Sequence, residues 1–383
     1  MNLCLKKILF LCLRTRSEIV CFEGRQSSSG LNLKVCFVGN ETRGDYFIRH
    51  LFGYKPPSQK IRQCFSLIKP AKIASFASTY DILMVEINRL LVKPYLTSGF
   101  FPIPEWIEFG RTVVGDPSLR YTGAPKSLKS DLNRISRSNF DISITNSEGD
   151  FNLFYNAMYL PYVIGRYGPE RITKSRRRLK KIFKKGFILF LNGPQGPVAG
   201  AVVSIERNHI TETAIGVRDG SEEIFKAGVS GLLDFYIHQW AADNGKRFIN
   251  VGHTRPFPLD GVYFNKRKWL MSVLPDVDGV MNIAVKFNMP SCKTASVLES
   301  FPFLFQTGRG LNILCSIDSR RTMTIPDVKS AFRRFWSTGI DRLIMLAPAC
   351  FDQRVLTYAA EKIGPELALV ANLNATVESP VQG

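Results

Sequence analysis

A short turn that contains glycine and serine is the part of this sequence whose residue types most clearly suit chemistry. It runs from Lys226 through Gly228 and Ser230 to Gly231, directly before an apolar segment. Glycines let the backbone approach a ligand closely, serine is a favourable helix N-cap, and the free amides at a helix start attract anions. Lys226 would reinforce that attraction. The turn therefore suits a phosphate, although the same residues could simply cap a helix, because short glycine patterns are weak signals.

The elements around this turn are predicted from hydrophobic periodicity and turn residues. Three apolar segments separated by polar turns indicate sequential antiparallel strands. Leu233, Ile237, Trp240 and Ala241 share one face of a helix, and Asn244-Gly245 marks its end. The predicted elements are strands over 186–191, 197–205 and 209–216, a helix over 232–242 and a further strand over 247–252.

The segment after the last of these strands carries a family resemblance. Val251-Gly252, followed by Lys266-Arg267-Lys268-Trp269, resembles the GNAT acyltransferase superfamily. Within it, the pattern is similar to the Fem-like branch and the related acyltransferases of cell-envelope and polysaccharide loci. The segments 127–137 and 151–167 resemble the basic and aromatic helices that precede the core strands in that branch. The resemblance covers 127–269, and the sequence departs from it at Asn250, where Asp is usual, and at Leu270, where Gly is usual.

The resemblance implies an α/β fold with a mixed sheet, either as one GNAT-like domain or as tandem GNAT-like units as in Fem-like proteins. Two adjacent strands would splay apart, and the acyl-pantetheine of acyl-CoA would lie between them. A backbone amide would polarise the thioester carbonyl, and a neutral amine would attack directly. The residues that this assigns to the cofactor are Val202 and Val203 on the strand and Lys226, Gly228, Ser230 and Gly231 at the phosphates.

Five side chains are candidates for the remaining roles. His253 is the first choice as proton acceptor, since imidazole titrates near neutrality, although a lone histidine is often structural. Tyr263 could protonate the departing thiolate, or it could be a core residue. Glu212, expected to face solvent, is a reserve base. Arg255 and Lys266 could hold an anionic group of the substrate, with Arg255 better suited to a bidentate contact.

The formal net charge of +19 predicts attraction to polyanions. Much of it lies in 166–185, where Leu179, Ile182 and Phe183 keep helical spacing and indicate an amphipathic helix with a basic outer face. That face could be only a solvated surface. It could also attract a phosphorylated cofactor or carrier, tRNA phosphates or an anionic membrane surface.

The spacing of the cysteines and histidines argues against a disulfide framework and against a metal site. The eight cysteines include no close Cys-x-x-Cys pair, and the four histidines are not at metal-ligand spacing. We therefore expect reduced thiols, no metal and no metal cofactor. No apolar run reaches about twenty residues, and the apolar core of 1–14 is short for a signal sequence. These features predict a cytoplasmic protein, with peripheral contact at the inner face of the membrane as an alternative.

The expected domain organisation has five parts. Its ranges are 1–30 as an N-terminal tail, 31–125 as an α/β region that could be a diverged GNAT-like unit, 126–275 as the GNAT-like core, 276–371 as a strand–helix–strand extension and 372–383 as a disordered tail.

Three functions stay open at this point. The first is an N-acyltransferase that uses acyl-CoA and acts on an amino sugar, a peptide amine or a lipid-linked envelope or polysaccharide precursor. The second keeps the fold but uses aminoacyl-tRNA. The third is a non-catalytic, basic protein on the same scaffold that binds a membrane surface or nucleic acid. The oligomeric state does not follow from the sequence.

Overall fold

The computed structural model describes residues 18–61, 70–116, 119–137, 140–167, 174–275, 279–317, 322–347 and 353–373. These residues form two compact units. The first takes its described residues from the ranges 1–107, 255–264 and 275–383, and the second from 108–254 and 265–274.

The strands and helices are numbered here in chain order. The strands are β1 Glu18–Arg25, β2 Asn32–Gly39, β3 Ser58–Ile61, β4 Ile82–Asn88, β5 Phe101–Pro104, β6 Ile107–Thr112, β7 Asp141–Thr145, β8 Gly186–Gly193, β9 Gly196–Ile205, β10 His209–Val217, β11 Phe248–Thr254, β12 Ser272–Leu274, β13 Met281–Phe287, β14 Phe303–Gln306, β15 Leu311–Ser316, β16 Arg342–Leu346 and β17 Leu367–Val370. The α-helices are α1 Glu41–Phe52, α2 Pro70–Phe76, α3 Val92–Leu96, α4 Lys126–Ile135, α5 Glu148–Leu153, α6 Leu160–Tyr167, α7 Arg176–Phe183, α8 Glu222–Lys226, α9 Val229–Asp243, α10 Gly261–Lys268, α11 Ser291–Ser300, α12 Ile325–Phe335 and α13 Gln353–Tyr358. The π-helical segments are Phe154–Tyr159 and Ala359–Ile363.

The first unit contains two sheets on a shared apolar core. One has the strand order β3-β1-β2-β4-β13-β5 and the other the order β14-β15-β16-β17. In the second of these, β15, β16 and β17 are parallel. The predicted strand–helix–strand unit is present as β15, α12 and β16, and helix α12 begins with a capping box in which the Thr324 amide donates to Asp327 at 2.9 Å.

The second unit is built on a seven-stranded sheet with the order β12-β6-β11-β10-β9-β8-β7. Strands β8 to β10 pair antiparallel in sequence, as the polar turns predict, and β7, which was not predicted, pairs antiparallel with β8. Helix α9 then leads to β11, which pairs parallel with β10. The fold is α/β with mixed sheets, and the order β8, β9, β10, α9, β11 is the one that the GNAT resemblance implies.

The units divide the chain differently from the predicted ranges. Strand β1 lies within the expected 1–30 tail and pairs with β2 and β3. Most of the N-terminal region and the C-terminal extension belong to one unit, whereas the predicted 126–275 core contributes residues to both. The basic helix begins at Arg176, with Ser175 as its N-cap. Residues 374–383 of the expected disordered tail lie outside the described residues.

None of the helices in the described ranges is long and apolar enough to cross a bilayer.

Candidate functional site

Strands β10 and β11 separate soon after they meet. Their parallel pairing covers only three residue pairs, His209–Thr211 with Phe248–Asn250, although β10 has nine residues and β11 has seven. On its other edge, β10 stays paired with β9 as far as Val217. From Glu212 onward, the edge of β10 that faces β11 is not paired with another strand among the described residues. A ligand with amide groups could therefore pair with this edge.

The predicted cofactor strand has no such edge. Val202 pairs with Ile188 on β8 and with Ala214 on β10, and Val203 pairs with Phe187 and Glu212. Both valine side chains are fully buried. A strand paired on both sides offers its backbone to its neighbours, so the cofactor-side strand is better assigned to β10 than to Val202 and Val203.

A β-bulge in β10 changes the direction of its side chains. The register shifts between Glu212, opposite Val203, and Ala214, opposite Val202. Because consecutive residues of β9 face opposite sides of the sheet, Glu212 and Ala214 do so as well. Ala214 packs in the core with Phe154, whereas Glu212 faces helix α9. Lys174 Nζ donates to the carbonyl of Thr213 at 2.6 Å and so contacts the bulge itself.

Glu212 and Asp234 form a carboxyl pair at this point. The expectation that Glu212 faces solvent is wrong, since its side chain is only 7% exposed. Burial, followed by the nearby charge of Asp234, raises the pKa of Glu212 well above its usual value. The protonated Glu212 donates a hydrogen bond to Asp234, and burial raises the pKa of Asp234 to about 6. Glu212 Oε2 has no hydrogen-bond partner among the described residues.

Asp234 was not predicted from the sequence. It lies in the middle of α9 between Leu233 and Phe235, where an acidic residue interrupts an otherwise apolar stretch. A carboxylate in such a stretch is seldom buried without a partner. That interruption is the signal that could have identified it.

Lys266 holds the end of β11. Its Nζ donates to the carbonyls of Val251 and Gly252 at 2.9 Å each and to the carbonyl of His253 at 3.2 Å. Its positive charge also opposes the rise in the pKa of Glu212 and Asp234. These contacts favour a positioning role for Lys266 over the predicted contact with a substrate anion.

His253 is oriented by a carboxylate that sequence reasoning missed. Its Nε2 lies 3.1 Å from Oε1 of Glu108, and Oε2 of Glu108 accepts a hydrogen bond from Asn250 Nδ2 at 2.9 Å. Asn250 in turn accepts from the amide of Gly252 at 2.7 Å. The imidazole is 47% exposed. An amide at position 250 can donate to Glu108, whereas the carboxylate of an aspartate would repel it.

The start of α9 differs in detail from the predicted turn. Its N-cap is Gly228, with φ 92° and no side-chain cap, whereas Ser230 lies inside the first turn. A Cβ added to Gly228 would lie 3.5 Å from Nη1 of Arg134, which places a guanidinium beside these amides. Lys226 is 71% exposed and pairs with Glu222 at 3.0 Å.

Gly231 has a packing role. A Cβ at this position would lie 2.4 Å from Cζ2 of Trp269, a residue that is almost completely buried. The absence of a side chain therefore makes room for an indole, so the predicted phosphate role of Gly231 has a simpler explanation.

Arg255 and Tyr263 lie in the first unit. Arg255 stacks over the rings of Trp106 at 3.7 Å and Tyr46 at 4.4 Å, and its Nη1 donates to the carbonyl of Glu105 at 3.1 Å. Tyr263 is fully buried. A guanidinium held in this way and a buried phenol do not fit the predicted contacts with substrate and leaving group.

Within the described ranges, no group of three or more His, Cys, Asp or Glu residues is placed so that it could hold a metal ion.

Comparisons with known proteins give structural similarities only. No protein-family profile matches the chain, and no curated protein sequence matches it. It is similar to L-PGS from Bacillus licheniformis, with 16% identity, 73% of this chain and 88% of that chain covered, and a TM-score of 0.34. It is also similar to FemX, with 8% identity, 68% and 83% coverage and a TM-score of 0.39. A tandem GNAT protein from the clavulanic acid biosynthesis pathway gives 8% identity, 68% and 79% coverage and a TM-score of 0.31.

Proposed function

We propose that the second unit is an N-acyltransferase that moves an acyl group from a thioester or ester donor to an amine. The observation that carries the proposal is the separation of β10 from β11 after the Thr211–Asn250 pair. Glu212, the first residue of β10 beyond that pair, is buried and interacts with the half-buried Asp234. A cleft of this form suits an extended donor with amide groups, such as the pantetheine arm of acyl-CoA.

The donor would lie along the open edge of β10. Backbone amides between Glu212 and Val217 could pair with the pantetheine and polarise the thioester carbonyl. The uncapped amides of the first turn of α9, together with Arg134, would receive the phosphates. Lys226 would add a weaker attraction from its exposed position. Acyl-CoA, with an acetyl or longer chain, is the donor that this arrangement favours.

The proton would pass to His253. A hydrogen on Nε2, donated to Glu108, leaves Nδ1 as the proton acceptor. The amine nitrogen would attack the carbonyl carbon, so that the C–N bond forms and the C–S bond breaks. The proton released from nitrogen would go to His253, and the leaving thiolate would take up a proton from solvent water to leave as the free thiol. The carboxyl pair of Glu212 and Asp234 is the second candidate for the acceptor.

The proposed acceptor is an amine in the cytoplasm or at the inner membrane face, on an amino sugar, a peptide or an envelope or polysaccharide precursor. Nothing in the site favours one of these over the others.

A second candidate donor is aminoacyl-tRNA, and the outer face of α7 favours it. Arg176, Arg177 and Lys181 are exposed there, while Leu179 and Phe183 pack into the core. A row of cations on one helix face suits a phosphate backbone. The anchoring contacts of α7, Arg176 with Asn152 and Lys180 with Glu148, hold this face in place.

Thermal-shift measurements with CoA, acetyl-CoA, longer acyl-CoAs and tRNA test the proposal, because a ligand that binds the folded state raises the melting temperature. We expect a shift with at least one acyl-CoA and a smaller shift in Arg134→Gln. Lys129→Gln, on the same helix α4, is the control. If only tRNA shifts the melting temperature, the second donor replaces the first. If neither does, the basic protein without transferase activity is the better description.

A further inference from the structure

A groove in the first unit, separate from the residues discussed so far, combines positive charge with aromatic rings. It lies between α12 and the segment that follows α13, has a volume of about 610 Å³, and is of a size that accommodates a small ligand. Six of the residues that line it are Lys329, Phe332, Arg333, Trp336, Tyr358 and Lys362.

The spacing along α12 places Lys329, Phe332 and Arg333 on one face, and Trp336 follows as the C-cap residue, directly after the last residue of the helix. Lys329, Phe332, Arg333 and Trp336 recur at intervals of three and four residues, whereas Val328 and Phe335 face the core. The rings of Phe332 and Trp336 stack with centroids 5.0 Å apart and an interplanar angle of 15°. Both rings line the groove, so a planar ligand ring could extend this stack.

The groove carries more positive than negative charge. Lys329, Arg333 and Lys362 are set against the carboxylate of Glu366. Lys329 Nζ lies 4.9 Å from the centroid of the Tyr358 ring, so an aromatic face helps to hold its position. An excess of cations at the rim of an aromatic surface favours an anion that also carries a planar ring.

The backbone opposite α12 is irregular in a way that contributes to the lining. Residues Ala359–Ile363 form a π-helical segment that ends at Gly364, with φ 82°. This segment carries Lys362 and Ile363, both of which line the groove. Single π-helical turns are often found at functional sites.

We propose that this groove binds a nucleotide unit, with its phosphate at Lys329, Arg333 and Lys362 and its base against the Phe332–Trp336 stack. An inorganic anion would leave the aromatic rings unused, and an apolar ligand would make no use of the excess positive charge. A base on an aromatic surface contributes about 1–3 kcal/mol. The unit could be a free nucleotide or part of a single RNA strand. The proposal does not depend on acyl transfer.

Tryptophan fluorescence of the full chain tests the proposal with three probes: AMP, a short oligoadenylate RNA and inorganic phosphate. We expect AMP or the RNA to quench the fluorescence, and we expect Trp336→Phe to remove that quenching. Quenching by both probes identifies the nucleotide unit itself as the ligand, and quenching by RNA alone identifies a strand. No quenching by either probe, or equal affinity for inorganic phosphate, overturns the proposal.

Charge reversal supplies an independent test. Lys329→Glu with Lys362→Glu should weaken binding of the effective probe by about tenfold or more. The matched control is Lys93→Glu with Lys293→Glu, which changes the net charge equally at exposed positions of the same unit. An equal effect in the control would mean that binding follows net charge alone and would overturn the proposal. If the double variant misfolds by circular dichroism, Lys329→Gln with Lys362→Gln replaces it.

Discussion

Glu212 illustrates how the chemistry of a side chain depends on contacts that its sequence neighbours do not reveal. It lies in a loosely alternating segment, and one extra residue in the strand turns it toward Asp234. The pKa values of both carboxyls are raised and depend on each other, so their charge state differs from that of exposed acids. Glu108 and His253 form the contrasting pair, a partly buried carboxylate and an exposed imidazole.

The raised pKa of Asp234 predicts a specific dependence of stability on pH. An aspartate in the unfolded chain has a pKa of about 3.9, whereas burial raises the pKa of Asp234 to about 6 in the folded protein. Between these values the folded state binds more protons, so the free energy of unfolding falls as the pH rises. Asp234→Asn should flatten this decline in urea unfolding series at pH 4.5 and 6.5. Asp243→Asn, at the end of the same helix, is the control, and an unchanged slope in Asp234→Asn would contradict the assignment.

The link between Glu108 and His253 predicts a graded decrease in acyl transfer. His253→Ala should lower kcat/KM by about 100-fold or more if the imidazole accepts the proton. Glu108→Gln should cost about tenfold and shift the acidic limb of the pH profile to lower pH, because the imidazolium loses the negative charge of Glu108. The pH profile of kcat/KM measures both effects.

The chain offers a matched control for this pair. His209 and Glu206 lie 3.2 Å apart at the start of β10; the imidazole of His209 is 40% exposed, close to the 47% of His253, whereas Glu206 is more exposed than Glu108. His209→Ala and Glu206→Gln should leave the profile unchanged. Equal decreases in the two pairs would show that exposure and charge, and not a catalytic position, account for the effect.

At the scale of secondary structure, the hairpin β8–β9, strand β10 and helix α9 could be predicted from periodicity and turn residues, because these features are local. The open edge could not, since the pairing partners of β9 and β10 depend on β8 and β11. Nor could Glu108, which is 142 residues from Asn250 and meets it only through the pairing of β6 with β11. Glycine patterns are ambiguous for a related reason: Gly228 and Gly231 look alike in sequence, yet one begins the helix and the other accommodates Trp269.

The contact between Gly231 and Trp269 predicts that alanine is less favourable than glycine at this helical position. Alanine normally stabilises a helix interior relative to glycine by about 1 kcal/mol. At Gly231 the new Cβ would overlap Trp269, so Gly231→Ala should destabilise the protein by about 1–3 kcal/mol. Gly165→Ala in α6 meets no atom within 4 Å and should be neutral or stabilising. Thermal unfolding of the two variants measures the difference, and a stabilised Gly231→Ala would contradict the packing role.

At the scale of the whole molecule, the net charge of +19 makes some attraction to polyanions inevitable. Binding of a polyanion at a specific surface must therefore be distinguished from this general electrostatic attraction. Helix α7 and the groove beside α12 belong to different units. Variants can thus test each of them separately while the net charge changes by the same amount.

Salt dependence provides the test for α7. If tRNA phosphates bind this helix, the triple variant Arg177→Gln, Lys181→Gln and Lys184→Gln should bind tRNA with a shallower slope of log K against log salt. The expected reduction is about 0.7–0.9 for each lysine or arginine that neutralises a phosphate. Filter binding over a salt series measures the slope. The control triple, Lys72→Gln, Lys93→Gln and Lys293→Gln, removes the same charge from exposed positions of the first unit. Identical slopes in the two triples would rule out α7 as the tRNA-binding face.

Strand β13 has a consequence for synthesis on the ribosome. It lies between β4 and β5 and pairs with seven residues of β4 and four of β5. Strand β4 is buried along its whole length, so its edge stays uncovered until residue 287 has emerged. By then the whole of the second unit has already been translated. The first unit therefore cannot complete its sheet while the inserted second unit can already fold. During this interval the apolar edge of β4 is open to other chains, and a chaperone would be most useful then.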